Sequence, residues 1–261
     1  MIATAYTVAL QIEALIVLAN PDYLSKGWHG ALFTIAAALF SIFFNTYIYR
    51  RLPLLEGCAM MLHFLGFVAF VVVLWVMGPR GDAKTVFTNF EDNNGWGSVG
   101  LATLVGLLSP ISSLVGSDSA CHLSEELRDA SWYLPLSMIA TASVNYLLGF
   151  VMTISLMFTV GNAEEVFNTP TGQPYVQVLL NATQSRGATI VLTTVMALLI
   201  LFSAINVVTT SSRQIFAFAR DKGLPFSDFL SYVSLIPPIP SHFQHFLDLT
   251  NPTARSYLCL Q

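Results

Sequence analysis

Residues 55–77 read LEGCAMMLHFLGFVAFVVVLWVM, a run in which Glu56 and His63 are the only acidic or basic side chains. A helix needs about 20 apolar residues to cross a hydrocarbon core roughly 30 Å thick, and this run is long enough. Five more runs of the same kind lie on either side, at approximately 2–18, 28–49, 98–127, 134–160 and 188–212. A bilayer interior offers no water to backbone N–H and C=O groups, so each run is expected to be helical. The expected fold class is therefore all-α, a polytopic transmembrane helical bundle.

Composition agrees. The 261 residues are 54% hydrophobic and 10% charged, against about 25% charged in an ordinary soluble domain. The charges are gathered into clusters between the runs, and that distribution argues more strongly than the average. The net charge is −4 and there is no basic patch, which speaks against a nucleic-acid partner. Cys58, Cys121 and Cys259 are scattered, with no C-x-x-C pair or histidine spacing, so neither a disulfide framework nor a zinc site is expected. No nucleophile elbow or glycine-rich phosphate loop points to an enzyme, and no cofactor is implied. The opening MIATAYTVALQIEALIVL lacks a basic leader and a cleavage site, so it reads as a retained helix that the chain enters abruptly.

The connectors, among them PDYLSKGWHG, YRRLP and GNAEEVFNTPTGQPYVQVLLNATQSRG, read as polar loops rich in turn formers. Trp28, Trp75, Trp96 and Trp132 fall at run ends, where interfacial anchors sit. One set of alternate connectors holds Arg50, Arg51, Arg128, Arg213, Arg220 and Lys222; the other holds Lys26, Arg80, Lys84 and Arg186. That bias places the first set in the cytoplasm. Asn181-Ala182-Thr183, a glycosylation pattern, then falls outside. Residues 1–232 are expected to form one partial transmembrane domain, and 233–261, with three early prolines and no span, read as an irregular cytoplasmic tail or as a stretch where the reading frame leaves the true protein.

An ionisable residue inside a span is costly and marks a functional candidate. Glu13 and Glu56 lie near span ends, where the interface can also account for them. His63 lies deeper, on the helical face of Glu56, and reads either as a satisfied interior histidine or as a proton-coupling group. In 98–127, GLATLVGLLSPISSLVGSDSACHLSEEL, Pro110 removes a backbone donor and Gly116, Ser117 and Asp118 favour unwinding. A discontinuous helix is expected, with its loosened backbone and Asp118 facing a substrate; a simple proline kink is the alternative. His122 and Glu126 stand one turn apart, but two ligands without partners do not make a metal site. In the last run Ser203, Asn206, Thr209, Thr210, Ser211 and Ser212 recur at three- and four-residue spacing. They can join helices by hydrogen bonds or line a site.

VGSDSACHLSEELRDASWYLP at 115–135 resembles the sixth-helix region of the amino acid, polyamine and organocation (APC) transporter superfamily. TTSSRQIFAFARDKGLPFS at 209–227 looks like the end of its eighth helix and the loop after it. With NPDYLSKGWHG, LPLLEG and the GW before the fourth run, the chain is most similar to fungal amino acid, GABA and choline permeases, over roughly residues 1–232. The resemblance implies a five-plus-five inverted-repeat, leucine-transporter-like core, of which the six runs are the third to eighth helices, and so a fragment. It implies proton-coupled transport of an amino acid or small amine by alternating access, in the plasma or the vacuolar membrane. Gly116, Ser117 and Asp118 then fall on the substrate segment and Glu125 and Glu126 on the cytoplasmic acidic end. His63 stands where some relatives carry a lysine, and Arg220 and Asp221 belong to an inner-loop gate or anchor. A truncated fragment that does not transport is the alternative.

Overall fold

The computed structural model describes residues 1–48, 51–90, 92, 95–114, 116, 119–121 and 129–231. The chain divides into two compact units, 1–214 and 215–261. Its helices are α1 (Ile2–Ala19), α2 (Gly27–Tyr47), α3 (Leu52–Met77), α4 (Ala83–Thr88), α5 (Val99–Gly106), α6 (Leu108–Leu114), α7 (Ala130–Thr159), α8 (Ala163–Phe167), α9 (Pro174–Thr183) and α10 (Arg186–Arg220), before a last short turn of helix. There is no strand among the described residues. α1, α2, α3, α7 and α10 are long and apolar enough to cross a membrane, and they match five of the six expected runs.

Small residues set the closest approach. Ala5, Ala9 and Ala14 of α1 are buried, as are Gly30, Ala37 and Ser41 of α2. Lipid tails are as apolar as leucine, so helices in a bilayer associate through close backbone packing of this kind. Gly30 matters individually, because a Cβ there would stand 3.3 Å from Glu13 Oε1. Polar pins add register. Asn45 of α2 donates to the carbonyls of Ser41 and of Ile205 on α10, each at 2.9 Å, and accepts from the Thr209 hydroxyl. Trp75 Nε1 of α3 donates to Ser155 Oγ of α7 at 2.8 Å.

The segment after α7 corrects an expectation. Read from sequence as a polar loop, it contains α9, whose Val176, Val178, Leu179, Ala182 and Thr183 are buried. Val178, Leu179 and Ala182 pack with Phe70 and Leu74 of α3, Val166 of α8 and Leu192 of α10, while Val176 packs with Ala14 and Leu18 of α1. Pro174 starts the helix at a position where its missing N–H costs nothing. Ten residues are too few to span a bilayer, so α9 lies as a strap across one end of the bundle. Thr183, the hydroxyl residue of the glycosylation pattern, is buried and donates to the Leu179 carbonyl at 2.9 Å. Asn181 itself is partly exposed and accepts from Gln177 Nε2 at 2.9 Å.

The fourth run also differs in detail. Within the described residues it forms α5 and α6, which part at Leu107. Pro110 accounts for the place: it has no N–H for the Gly106 carbonyl four residues earlier, and its ring crowds that oxygen. A second interruption follows at Gly116, where φ is +102°. Glycine meets no Cβ penalty there. The last run is longer than expected, since α10 has 35 residues and ends at Arg220 rather than near 212. In the second unit, Gly223 N–H bonds the Phe218 carbonyl at 2.9 Å and Lys222 N–H the Ala219 carbonyl at 3.0 Å, with Lys222 at φ +57°. This pair is a Schellman cap. The ARDKG stretch is therefore a helix terminus as well as the start of a loop.

Candidate functional site

A cleft of about 910 Å³ opens within the first unit, among α3, the Gly116 turn, α7 and α10. His63 and Phe64 line it from α3, Thr141 and Asn145 from α7, and Ser203, Asn206, Thr210 and Ser211 from α10. Gly116 and Ser119 close one side. Residues far apart in the chain, at 63, 116 and 206, thus share one cavity.

The candidates separate according to where the helices carry them. His63 is exposed into the cleft and stands edge-on to Phe64 with ring centroids 6.1 Å apart. Gly116 lies on its wall. Ser117, Asp118, Glu125 and Glu126 lie outside the described residues, as do His122 and the tail from 232. Glu56 is exposed on α3 and does not line the cleft. Glu13 is away from it too: its Oε2 accepts from Ser25 Oγ at 2.9 Å, while Oε1 is buried without a partner. The loss of water around half-buried Tyr23, and secondarily the Glu13 carboxylate, push the Tyr23 hydroxyl above its ordinary pKa. Arg220 and Asp221 meet at 3.8 Å with side chains 50% and 75% exposed. An exposed pair of this kind contributes about 0–1 kcal/mol.

The polar row on α10 resolves into both of its readings. Thr209 turns to Asn45 and ties α10 to α2, whereas Ser203, Asn206, Thr210 and Ser211 face the cleft. Thr210 Oγ1 donates to the Asn206 backbone carbonyl at 3.0 Å, in the usual back-bonding manner of helical threonine. Asn206 Oδ1 is closed off from solvent and accepts no hydrogen bond from the described residues. A buried acceptor left without a donor costs about 1–3 kcal/mol. Thr141 and Asn145 of α7 escaped the sequence reading. Asn145 is the sole amide in the run 134–160, and that isolation was the available signal.

Among the described residues lining the cleft there is no carboxylate, lysine or arginine. The wall is a set of dipoles: hydroxyls, amides, one imidazole and a glycine turn whose backbone is open. Such a surface can hydrogen-bond a small polar solute.

Comparison with known proteins agrees. The family model for amino acid permeases matches residues 1–246. An inferred amino acid/polyamine transporter of Macrophomina phaseolina is 32% identical over 223 residues, covering 83% of this chain and 48% of that protein. The choline transporter of Saccharomyces cerevisiae is 28% identical over 244 residues, 91% of this chain and 42% of its own length. Amino-acid permease 2 of Neurospora crassa is 32% identical over 146 residues, 56% of this chain and 27% of that protein. No solved structure matches the chain. The chain thus spans about half or less of the length of these relatives. Its relatives are transporters rather than enzymes, its helices are those of an integral membrane protein, and the chain belongs to the amino acid permease family.

Proposed function

We propose that these residues supply one wall of the substrate pathway in a proton-coupled permease for an amino acid or a related small amine such as GABA or choline, working by alternating access. The observation that carries the reading is the convergence of His63, Gly116 and Asn206 on one cleft, at the end of the bundle away from the α9 strap. By alternation along the chain, Lys26, Arg80, Lys84 and Arg186 belong to the strap's side and the other set of connectors is the more basic, which supports a cleft that faces the cytoplasm by the positive-inside bias. Ser117 and Asp118, next in sequence to Gly116, join it in substrate recognition. Glu125, Glu126, Arg220 and Asp221 serve the cytoplasmic gate and its loop. His63 is assigned the proton because imidazole is the side-chain type whose charge changes between about pH 5 and 8. The plasma membrane is the assigned location.

A second reading has its own support. Because the chain spans less than half the length of several relatives, these 261 residues are proposed to need further helices before they transport. Proteoliposomes holding this chain, and in parallel the longest protein its gene encodes, test both readings. Uptake of amino acid or amine driven by an inward proton gradient is expected from the longer protein. Uptake by the 261-residue chain alone removes the second reading, and no uptake by either removes the first. His63→Gln is expected to keep substrate exchange while losing accumulation driven by the proton gradient.

A further inference from the structure

We infer that Asn206 is a specificity residue that reads N–H donors, so that the solute passing this cleft carries a primary or secondary amine rather than a fully methylated one. The inference rests on the transport reading above and narrows its substrate class.

Asn206 lies on α10 among Ser203, Thr210 and Ser211 and lines the cleft, yet its Oδ1 takes no hydrogen bond from the described residues and is shut away from water. The backbone does not need that oxygen: the Asn206 carbonyl already accepts from Thr210 Oγ1. Thr209, on the neighbouring face of α10, shows the other solution, in which the α10 hydroxyl donates to Asn45 Oδ1 and the Asn45 amide N–H donates to the Ile205 carbonyl. Among the described residues Asn206 Oδ1 has no such partner, and the last torsion of an asparagine side chain is broad and roughly two-fold, so turning the amide over brings Oδ1 to the opening. What it lacks is a donor. An amine or ammonium N–H supplies one; a trimethylammonium group has none.

Charge does not make this distinction. Glycine, sarcosine, dimethylglycine and betaine carry the same cationic nitrogen with successively fewer N–H bonds, and so do ethanolamine and its methylated forms up to choline. With no carboxylate on the described wall, the number of N–H donors is the property that this surface can sense.

The test is uptake by the longest protein of the gene in proteoliposomes, using both methylation series as labelled solutes. Uptake efficiency is expected to fall at least tenfold from the primary amine to the trimethylated end. Asn206→Leu, which keeps volume and removes the acceptor, is expected to lower uptake of the primary amine about tenfold, leave the trimethylated solute unchanged and so flatten the series. Asn206→Asp, which keeps an acceptor, is expected to restore the slope. Thermal stability of each variant in detergent separates a folding defect from a change in selectivity. A flat series in the unsubstituted protein, or a slope that survives Asn206→Leu, overturns the inference while amine transport stands. No uptake of any amine by the unsubstituted protein overturns the transport reading, and this inference with it.

Discussion

The two ends of the first unit are built on opposite principles, although the same helices supply both. At the strapped end α3 contributes Phe70 and Leu74, α10 contributes Thr189, Leu192 and Thr193, and α9 fills the space between them, leaving these side chains almost without solvent. Toward the other end the same α3 offers Ala59, Met60 and His63 and the same α10 offers Ser203, Asn206 and Thr210, around a cleft of about 910 Å³. One end has exchanged polar freedom for packing; the other keeps polar groups and space. The asymmetry suits the pathway proposed above, which opens on one side while sealed on the other.

Truncation should expose it most strongly. Leu74 is wholly buried, and Leu74→Ala is expected to cost about 2–5 kcal/mol, through lost transfer energy and the cavity left beneath α9. Leu65, on the same helix and 66% exposed, should change stability by no more than about 0.5 kcal/mol when cut to alanine. Thermal unfolding of the purified chain in detergent measures both, and equal effects would break the contrast between the ends.

Next in size is the polar latch of the strap. Tyr175 donates to Gln11 Oε1, and Gln11 is itself 3% exposed within α1. Tyr175→Phe keeps the ring and strands that oxygen, so a loss of about 1–3 kcal/mol is expected. Gln11→Leu, which removes the buried acceptor as well, should lose less when Tyr175→Phe is already present than in the parent. A double-mutant cycle checks this coupling.

Glycines give a finer probe. Alanine is favoured over glycine inside a helix by roughly 0.5–1 kcal/mol. At Gly57, near the cleft end of α3, an added Cβ meets nothing within 4 Å, so Gly57→Ala should gain close to that amount. At Gly66 the Cβ would stand 3.1 Å from Val195 Cγ1, and the strain of moving that valine should cancel the gain. Comparing the two melting temperatures locates along α3 the point at which packing closes.

These contrasts also show what the sequence could reveal. The five long spans were legible because a bilayer demands about 20 apolar residues and little else produces such runs between charges. The strap was not, because ten residues starting at Pro174 satisfy no length rule, and their apolar face has meaning only once α1, α3 and α10 stand beneath it. Pro110 signalled a break in the fourth run, but the helix parts at Leu107, since proline acts on the carbonyl a turn earlier. At the site, His63, Gly116 and Asn206 were visible as misfits in apolar or helical surroundings. Their meeting in one cleft was not, because nothing in the spacing of positions 63, 116 and 206 fixes how α3, the Gly116 turn and α10 approach. Asn145 and Gln11 were passed over because neutral amides raise less alarm than charges, though each is the sole amide of its run.

The smallest expected effect appears only at alkaline pH, and it belongs to the packed end alone. Burial pushes the Tyr175 hydroxyl well above its ordinary value of 10.0. The folded chain thus favours the protonated phenol more than the unfolded chain does, and the stability this lends is complete below about pH 10. As pH rises past that value the unfolded state releases its proton first. Unfolding then gains from every further step in pH, while the folded state holds a neutral hydroxyl against Gln11. The parent should therefore lose stability between about pH 10 and 12 more steeply than Tyr175→Phe, which has no proton to release at that position. Taking the difference between the two proteins removes the titration common to every other tyrosine and lysine. Parallel curves across that window would mean that water reaches the Tyr175 hydroxyl, and the strapped end would then be less sealed than its packing indicates.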